Sequence, residues 1–326
     1  MPAKDDAIVL LLLRVTKERG VFPMTSDFRA GLWRLADPKI SITSAASMAI
    51  GAGMAAGHPE FSWLWLLALG IAMFCMEVAK NAWGEVYDYD SGTDLRVRDE
   101  DRTAFSGGKR VLVDDLLSRQ QTWGIAIGFT LCGLALGALM VLVREPALFW
   151  VGLAGLAVGW SYHGPPLQLA YRGLGELAVV ICYGPLIALA TYMLMTGSFA
   201  TGVIWLALPL GILIAAFLWV NQFPDYEADR ASDKRNLVVL LGRERAAAVL
   251  PLMYALAFAM LALLPLLTGL APLVWLGLLA IAPAIQASRW TIADPQAFHR
   301  HKPVQPVALI TFVVYTIGVT IGVVLG

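Results

Sequence analysis

Acidic and amide side chains recur at helical spacing where one apolar segment ends. Asn81, Glu85 and Asp88 follow one another at intervals of four and three residues, and Asp94 comes after the glycine at position 92. Side chains at such intervals lie on one face of an α-helix. Two carboxylates about 6 Å apart repel each other by roughly 3 kcal/mol at an effective dielectric constant near 20. We therefore expect this face to require a cation.

A second apolar segment ends in the same pattern about 140 residues later. Asn221, Asp225 and Asp229 are spaced four residues apart and also share one helix face. Solvated loops at a membrane surface are the alternative reading, but two matched clusters favour a site. Oxygen ligands of this kind suit Mg²⁺, which proteins hold through a few carboxylates together with substrate phosphates. The two clusters thus predict a Mg²⁺ site that binds a diphosphate.

Basic and glycine residues accompany both clusters. Ammonium and guanidinium groups bind phosphate oxygens, and the Ser-Gly-Gly stretch at 106–108 can offer backbone N–H groups to an anion. The candidates for phosphate binding are Arg102, Lys109, Arg110 and Lys234.

The composition indicates a membrane protein. The chain has 326 residues, of which 58% are apolar and 15% are charged, whereas soluble domains carry about 25% charged residues. So little charge cannot cover so much apolar surface in water, which excludes a soluble enzyme, a nucleic-acid binder and a disordered protein. The formal net charge is zero, so we expect no nucleic-acid partner. The oligomeric state is left open by the sequence.

Nine stretches approach the length of about 20 mostly apolar residues that a transmembrane helix needs. They lie near 40–57, 61–80, 121–143, 146–163, 175–196, 199–221, 246–269, 271–287 and 303–325. The predicted fold is all-α, a polytopic bundle of nine transmembrane helices around a central cavity capped on the cytoplasmic side. Residues 1–36 form a predicted N-terminal cytoplasmic or interfacial segment, with a surface helix at 8–13, and residues 37–326 form the transmembrane domain.

The distribution of positive charge predicts the orientation. With nine spans, 23 of the 24 lysine and arginine residues fall on one side, and Arg144 alone falls on the other. Positive residues accumulate on the cytoplasmic side of membrane proteins. We therefore expect a cytoplasmic N-terminus and a cytoplasmic site, in a bacterial or archaeal inner or plasma membrane.

Other polar residues have simpler interpretations. Tyr162, His163 and Tyr171 lie beside a Pro-Pro turn, where they could line a pocket for a cation or an aromatic ring; an interfacial aromatic belt is the alternative. Glu77 and Lys80, three residues apart, are expected to form an internal ion pair. We expect solvated side chains at Asp99, Glu100, Asp101, Asp114 and Asp115, and no role for His58, His299 and His301.

Several separate motifs resemble the UbiA superfamily of intramembrane prenyltransferases. They are the two acidic loops, the segment YHGPPLQLAYRGLGEL at 162–177, and the nine spans. The stretches DYDSGTD at 88–94, DRTAFSGGKRVLVDDLLS at 101–118 and DYEADRASDKRNLVVLLG at 225–242 are most similar to the branch of 1,4-dihydroxy-2-naphthoate prenyltransferases. The resemblance runs from Pro38 to the last span.

The resemblance implies a reaction and a set of partners. Two Mg²⁺ ions bind the diphosphate of a prenyl donor, and diphosphate leaves. A ring carbon of an aromatic or quinone-precursor acceptor then attacks the allylic cation within the lipid bilayer, and the ring loses a proton. Carried onto this chain, the metal ligands of the first site are Asp88 and Asp94, with Asn81 and Glu85 as further ligands, and those of the second site are Asn221, Asp225 and Asp229. Arg102, Lys109 and Lys234 would hold phosphate, and Tyr162 and His163 would be the catalytic residues that border the acceptor pocket.

The first acidic motif departs from the family pattern. It usually reads Asn-Asp-x-x-Asp, whereas Gly84 and Glu85 occupy the first two positions here. The departure keeps open a second reaction, in which a prenyl diphosphate is cyclised without an acceptor. A transporter or lipid-binding protein is a third reading, which charges inside the spans would favour; apart from Glu77, the span centres are almost free of charge.

Overall fold

The computed structural model describes residues 26–326, which form helices joined by short connections. The helices are α1 Ser26–Ala36, α2 Pro38–Met54, α3 Trp63–Asp90, α4 Arg119–Val143, α5 Leu148–His163, α6 Gly175–Thr196, α7 Thr201–Ala231, α8 Leu237–Leu241, α9 Arg243–Thr268, α10 Pro272–Ala293, α11 Phe298–His301 and α12 Val304–Leu325. Short 3₁₀ turns lie at Asp94–Arg96, Asp99–Asp101 and Leu169–Tyr171, and α10 begins as a 3₁₀ helix. The predicted all-α class is confirmed.

Within residues 26–326, seven helices are long and apolar enough to cross a membrane: α3, α4, α6, α7, α9, α10 and α12. The chain is an integral membrane protein. Helices α2 and α5 coincide with two further predicted spans, but they have only 17 and 16 residues. The count of nine spans therefore stays a prediction, as does the domain boundary after residue 36. The surface helix predicted at 8–13 lies outside the described residues.

Helix α7 forms the centre of the bundle. Its apolar side chains are mostly buried between Val203 and Phe223, and α2, α6, α9 and α12 pack around it. The helix continues for two turns beyond its apolar part, so Asp225 and Asp229 lie at its C-terminal end. The helical spacing predicted for the second acidic cluster is confirmed.

Helix α3 presents the first acidic cluster in the same manner. It is 28 residues long, and its last turns carry Asn81, Glu85 and Asp88. The chain then turns at Gly92, which has a positive φ of 78°, and Asp94 begins a short 3₁₀ turn. The break that glycine predicted after α3 is therefore present, and it turns the loop at 91–118 back over the ends of the helices.

Polar contacts hold this loop on the bundle at several points. Arg34 of α1 forms an ion pair of 2.6 Å with Asp114, and Lys39 Nζ donates to the carbonyl of Ala104 at 2.6 Å. Gln305 at the start of α12 donates to Ser106 Oγ at 3.3 Å. The loop is thus fixed to the first and last helices of the described chain.

The expectation that Asp101 is solvated and His299 has no role is wrong. Asp101 is 2% exposed. Its Oδ1 accepts a hydrogen bond from Arg300 at 2.7 Å and lies 3.0 Å from His299 Nε2, which donates to it when that nitrogen carries the proton. Arg98 donates to its other oxygen at 2.9 Å. Burial alone would raise the pKa of Asp101, but hydrogen bonds from Arg300, His299 and Arg98 outweigh it and hold the pKa below its usual range. The sequence missed this cluster because almost 200 residues separate its partners.

Candidate active site

A cavity of about 870 Å³ lies among α2 to α7 and contains most of the predicted site residues. Polar groups line the end nearest the loop at 91–118, and Leu, Met and Phe side chains line the rest. Leu134 and Leu142 of α4 and Phe149 and Leu153 of α5 line it while remaining exposed on the outside of the bundle. The apolar part therefore reaches the lipid-facing surface, and its volume is that of a small-molecule site.

Lys234 joins the two acidic clusters. Its ammonium group lies 3.1 Å from Asp88 Oδ2 at the end of α3 and 3.7 Å from Asp229 Oδ1 on α7. Tyr171 donates its hydroxyl to Asp88 Oδ1 at 2.5 Å, and its ring centroid lies 5.5 Å from Lys234 Nζ. The two predicted clusters thus meet at Lys234, which lines one end of the cavity with Asp225 and Asp229, whereas Asp88 and Asp94 do not line it.

Four buried oxygens at this end have no hydrogen-bond partner among the described residues. They belong to Asp94 (Oδ2), Asn221 (Oδ1), Asp225 (Oδ1) and Asp229 (Oδ1). Leaving such a group unsatisfied costs about 1–3 kcal/mol, and more when it is charged. A set of oxygen acceptors without donors is the environment that a hard cation requires.

The same geometry bears on which cation fits. In the described part of the chain, no three His, Cys, Asp or Glu side chains converge as a complete metal site. Mg²⁺ is usually bound through one or two carboxylates and completes its octahedron with water and substrate phosphates. The residues present therefore fit Mg²⁺ held together with a diphosphate.

The acidic side chains at this end of the cavity outnumber Lys234, the cation that contacts them. Burial raises the pKa of Asp94 well above its usual range, and the charges of Asp88 and Glu85 raise it further. Burial alone would lower the pKa of Lys234, but Asp88 and Asp229 outweigh it and raise that pKa well above its usual range. An ionised Lys234 offsets one negative charge, and the raised pKa of Asp94 indicates that the cluster favours a further positive charge, which a divalent metal would supply.

Glu85 organises the loop that covers this end. Its two oxygens accept from the backbone N–H groups of Lys109 (3.2 Å), Arg110 (3.1 Å) and Leu112 (3.2 Å). The sequence placed Glu85 among the metal ligands, yet here the loop backbone occupies both oxygens. Asn81, also a predicted ligand, lines the cavity and donates to the carbonyl of Leu35 at 2.8 Å.

The glycines of this loop allow its close approach to Asp94. Gly108 has a φ of 74°, and a Cβ at this position would lie 2.4 Å from Asp94 Oδ1. Gly107 directs its backbone N–H to Asp225. The Ser-Gly-Gly stretch was predicted to bind an anion; in this structure its glycines contact the acidic residues themselves.

The predicted phosphate ligands separate into two groups. Lys234 and Lys109 line the cavity, and Lys109 also forms an ion pair with Asp37. Arg102 and Arg110 do not line it: Arg102 lies 3.8 Å and Arg110 3.3 Å from Asp114. Their placement in the loop gives no support to the predicted contact with phosphate.

Tyr162 and His163 both line the cavity, and their ring centroids are 4.8 Å apart. His163 Nε2 lies 3.9 Å from Asp88 Oδ2, and its Nδ1 is buried without a described partner. A Cβ built on Gly84 would lie 2.9 Å from His163 Cε1. The imidazole therefore occupies the space that a side chain at position 84 would need.

Asn236 is a site residue that the sequence reasoning missed. Its Nδ2 donates to Asp229 Oδ2 at 2.7 Å, and its Oδ1 caps α8 by accepting from the N–H of Val239 at 2.9 Å. An asparagine directly before an apolar run is a typical helix N-cap, which is the signal that could have identified it. For Tyr171 the sequence left two interpretations open, a pocket residue and a member of an interfacial aromatic belt; in the structure its hydroxyl contacts Asp88.

Comparison with known proteins identifies the family. Residues 45–320 match the model of the UbiA prenyltransferase family. The chain belongs to this family. It is 26% identical over 256 residues to the 1,4-dihydroxy-2-naphthoate octaprenyltransferase of Bacillus subtilis, covering 78% of this chain and 80% of that protein. It is 28% identical over 246 residues to the 2-carboxy-1,4-naphthoquinone phytyltransferase of Synechocystis sp., covering 73% and 75%. The predicted resemblance is confirmed, and this UbiA family member is a prenyltransferase.

The fold is also that of solved UbiA proteins. A UbiA homolog from Archaeoglobus fulgidus bound to GPP and Mg²⁺ superposes with a TM-score of 0.60 at 18% identity, covering 91% of this chain and all of that one. At this identity the likeness concerns the fold. The bundle around the cavity in this UbiA family member is therefore the architecture of its family.

Proposed function

We propose that the chain transfers a prenyl group from an isoprenoid diphosphate to an aromatic quinone precursor in a Mg²⁺-dependent reaction within the membrane. The observation that carries the proposal is the meeting of two acidic clusters, through Lys234, at the polar end of an otherwise apolar cavity. A prenyl diphosphate is divided in the same way as the cavity, into a charged diphosphate end and a long apolar tail.

Each end of the cavity has a distinct task. The residues that would hold Mg²⁺ are Asp88, Asp94, Asn221, Asp225 and Asp229. When bound, Mg²⁺ supplies the charge neutralisation that makes diphosphate a leaving group. Lys234 donates to phosphate oxygens, and Tyr171 and Asn236 orient Asp88 and Asp229. The apolar walls hold the prenyl tail and exclude water from the reacting carbon. Tyr162 and His163 border the reacting end.

The relatives support an acceptor rather than a cyclisation. Two of them are named as enzymes that prenylate a naphthoate or a carboxynaphthoquinone, and no feature of the described residues favours an acceptor-free reaction. We propose a bicyclic quinone precursor as the acceptor class. The expected readout is diphosphate release that depends on a ring acceptor.

The proposal includes a cytoplasmic site. It rests on the distribution of lysine and arginine, of which 23 of 24 fall on one side if α2 and α5 also span the membrane. Reporter fusions after residue 144 and residue 234 would report opposite sides of the membrane. The same side for both would overturn the orientation and the span count.

The test is diphosphate release by the purified protein in detergent with Mg²⁺, a prenyl diphosphate and a panel of ring acceptors. Asp225→Ala removes a buried carboxylate with an unpartnered oxygen, and we expect a loss of roughly 100-fold or more because the site loses charge that is needed in the transition state. Asp99→Ala removes a carboxylate that is 94% exposed and serves as the matched control.

Two results would refute the proposed function. Near-normal turnover of a folded Asp225→Ala protein would remove the second cluster from the site. Equal losses in Asp225→Ala and Asp99→Ala would show that the assay responds to any change of charge. Release of diphosphate at the same rate without any acceptor would establish a cyclase or a hydrolase instead.

A further inference from the structure

A second polar group of the cavity lies deeper in the bundle than the diphosphate end. Glu77 and Lys80 of α3 line the cavity together with Tyr162 and Tyr183. Neither charge has a part in the reaction at the acidic clusters. Ionisable residues at membrane depth are costly and mark sites of function when they face a cavity.

Lys80 is the unpaired member of this group. The predicted ion pair with Glu77 is absent: within residues 26–326, Lys80 has no carboxylate within 4.0 Å and no hydrogen-bond partner. Its Nζ lies 6.0 Å from the ring centroid of Tyr162. A lysine that lines a largely apolar cavity with no carboxylate in direct contact can pair with an anionic group of a ligand.

Glu77 is held in place by two serines of the neighbouring helix α2. Ser41 and Ser44 of α2 donate their hydroxyls to its two oxygens, one each. Each carboxylate oxygen can accept more than one hydrogen bond, so acceptor capacity remains on the cavity side. The two serines are the hydrogen-bond partners of Glu77, where the sequence predicted an ion pair with Lys80. The Lys80 side chain is therefore available to a ligand.

We infer that Lys80 and Glu77 bind the acceptor, Lys80 through an aromatic carboxylate and Glu77 by accepting a hydrogen bond from a ring hydroxyl. The inference rests on the proposed function. It takes its ligand class from the chemistry of the pair, one cation and one acceptor on neighbouring turns of α3. Both relatives described above are named for substrates that carry a carboxyl group on a naphthalene ring.

The arrangement along α3 suits this assignment. At 1.5 Å per residue, Lys80 lies about 12 Å and Glu77 about 16 Å along the axis from Asp88. Glu77 and Asp88 are eleven residues apart, so they share one face of the helix. A ring bound at Glu77 and Lys80 therefore lies between these side chains and the diphosphate, where its carbons face the prenyl carbon that reacts.

The experiment compares an acceptor with and without its carboxylate: 1,4-dihydroxy-2-naphthoate and 1,4-dihydroxynaphthalene. The wild type should prefer the acid by about 10- to 100-fold in kcat/KM, the worth of a charged hydrogen bond. Lys80→Met, which keeps most of the length of the side chain and removes its charge, should lose that preference without a change in the KM for the prenyl diphosphate. Lys80→Arg should keep most of it. Lys302→Met, an exposed lysine outside the cavity, is the control.

Binding of each acceptor is measured beside turnover, so that the two proposals fail separately. The inference is overturned if Lys80→Met keeps the preference for the acid. It is also overturned if this variant raises the KM for the donor and not for the acceptor. Either result leaves the proposed transfer intact. A wild type that transfers to no ring of the acceptor panel, these two included, overturns the proposed function. In that case weaker binding of the acid to Lys80→Met still supports the site, and equal binding refutes it. Binding of the Mg²⁺-loaded donor to each variant verifies its folding.

Discussion

Placing a side chain at position 84 should destabilise the protein through His163. Alanine is a better helix former than glycine by about 1 kcal/mol, so Gly84→Ala in the middle of α3 should stabilise if space were free. Space is not free, since the new Cβ would lie 2.9 Å from Cε1 and 3.0 Å from Nδ1 of a buried imidazole. The family's asparagine at this position would be larger still.

The size of the effect follows from the contact distances. Carbon atoms pack at about 3.5–4.0 Å, so the imidazole has to move by roughly 0.5 Å or more. It is packed against Tyr162 at a centroid distance of 4.8 Å, and overpacking of such a site costs about 1–3 kcal/mol. After subtraction of the gain in helix propensity, we expect Gly84→Ala to be destabilising by about 0–2 kcal/mol.

The assay is thermal unfolding in detergent, applied to a double-mutant cycle. Gly128→Ala on α4, where a Cβ meets nothing within 4 Å, is the control and should be neutral or stabilising. His163→Ala removes the ring, after which Gly84→Ala should cost nothing. The coupling between the two positions should be about 1–3 kcal/mol. Stability is the readout because His163 lines the cavity and its substitution could also change activity.

Additive effects of Gly84→Ala and His163→Ala would refute the reasoning. So would a Gly84→Ala protein that gains the full helix-propensity difference of about 1 kcal/mol, because the imidazole would then have room to move at no cost. If the coupling is found, restoring the family motif at position 84 requires a smaller residue at position 163.

Three further predictions concern the loop that covers the site. Glu85→Asp shortens the acceptor of three backbone N–H groups and should cost about 1–3 kcal/mol, measured as a lower midpoint of thermal unfolding; an unchanged midpoint would remove Glu85 from this role. Arg102→Ala should leave the KM for the donor unchanged, because its contacts are to loop carboxylates, and a raised KM would place Arg102 at the phosphate. The folded-state pKa of Asp101 lies below its unfolded value, so its stabilisation is complete above about pH 4 and disappears as pH falls through the folded-state pKa. Asp101→Asn should therefore be less stable than wild type at pH 7, with the difference shrinking at pH 3; a difference independent of pH would contradict this.

Local patterns predicted two acidic helix faces, which the fold brings together around Lys234. Apolar runs ending in acids at intervals of four predict helices that carry carboxylates on one face. Helices α3 and α7 do so because they continue to Asp90 and Ala231, α7 even through Pro224. The same spacing could not tell which carboxylates remain free. Glu85 and Asp88 share a face, yet Glu85 is occupied by the loop backbone and Asp88 by Tyr171 and Lys234.

The sequence by itself determined the membrane class, the two acidic clusters and the family, because these depend on composition and on residues close together in the chain. Only the tertiary structure decided the partners. Glu77 accepts hydrogen bonds from the serines of α2 and forms no ion pair with Lys80, and His163 occupies the space beside Gly84. Such contacts join residues that are 33 to 79 positions apart. They depend on how helices cross, and spacing along a single helix carries no information about that.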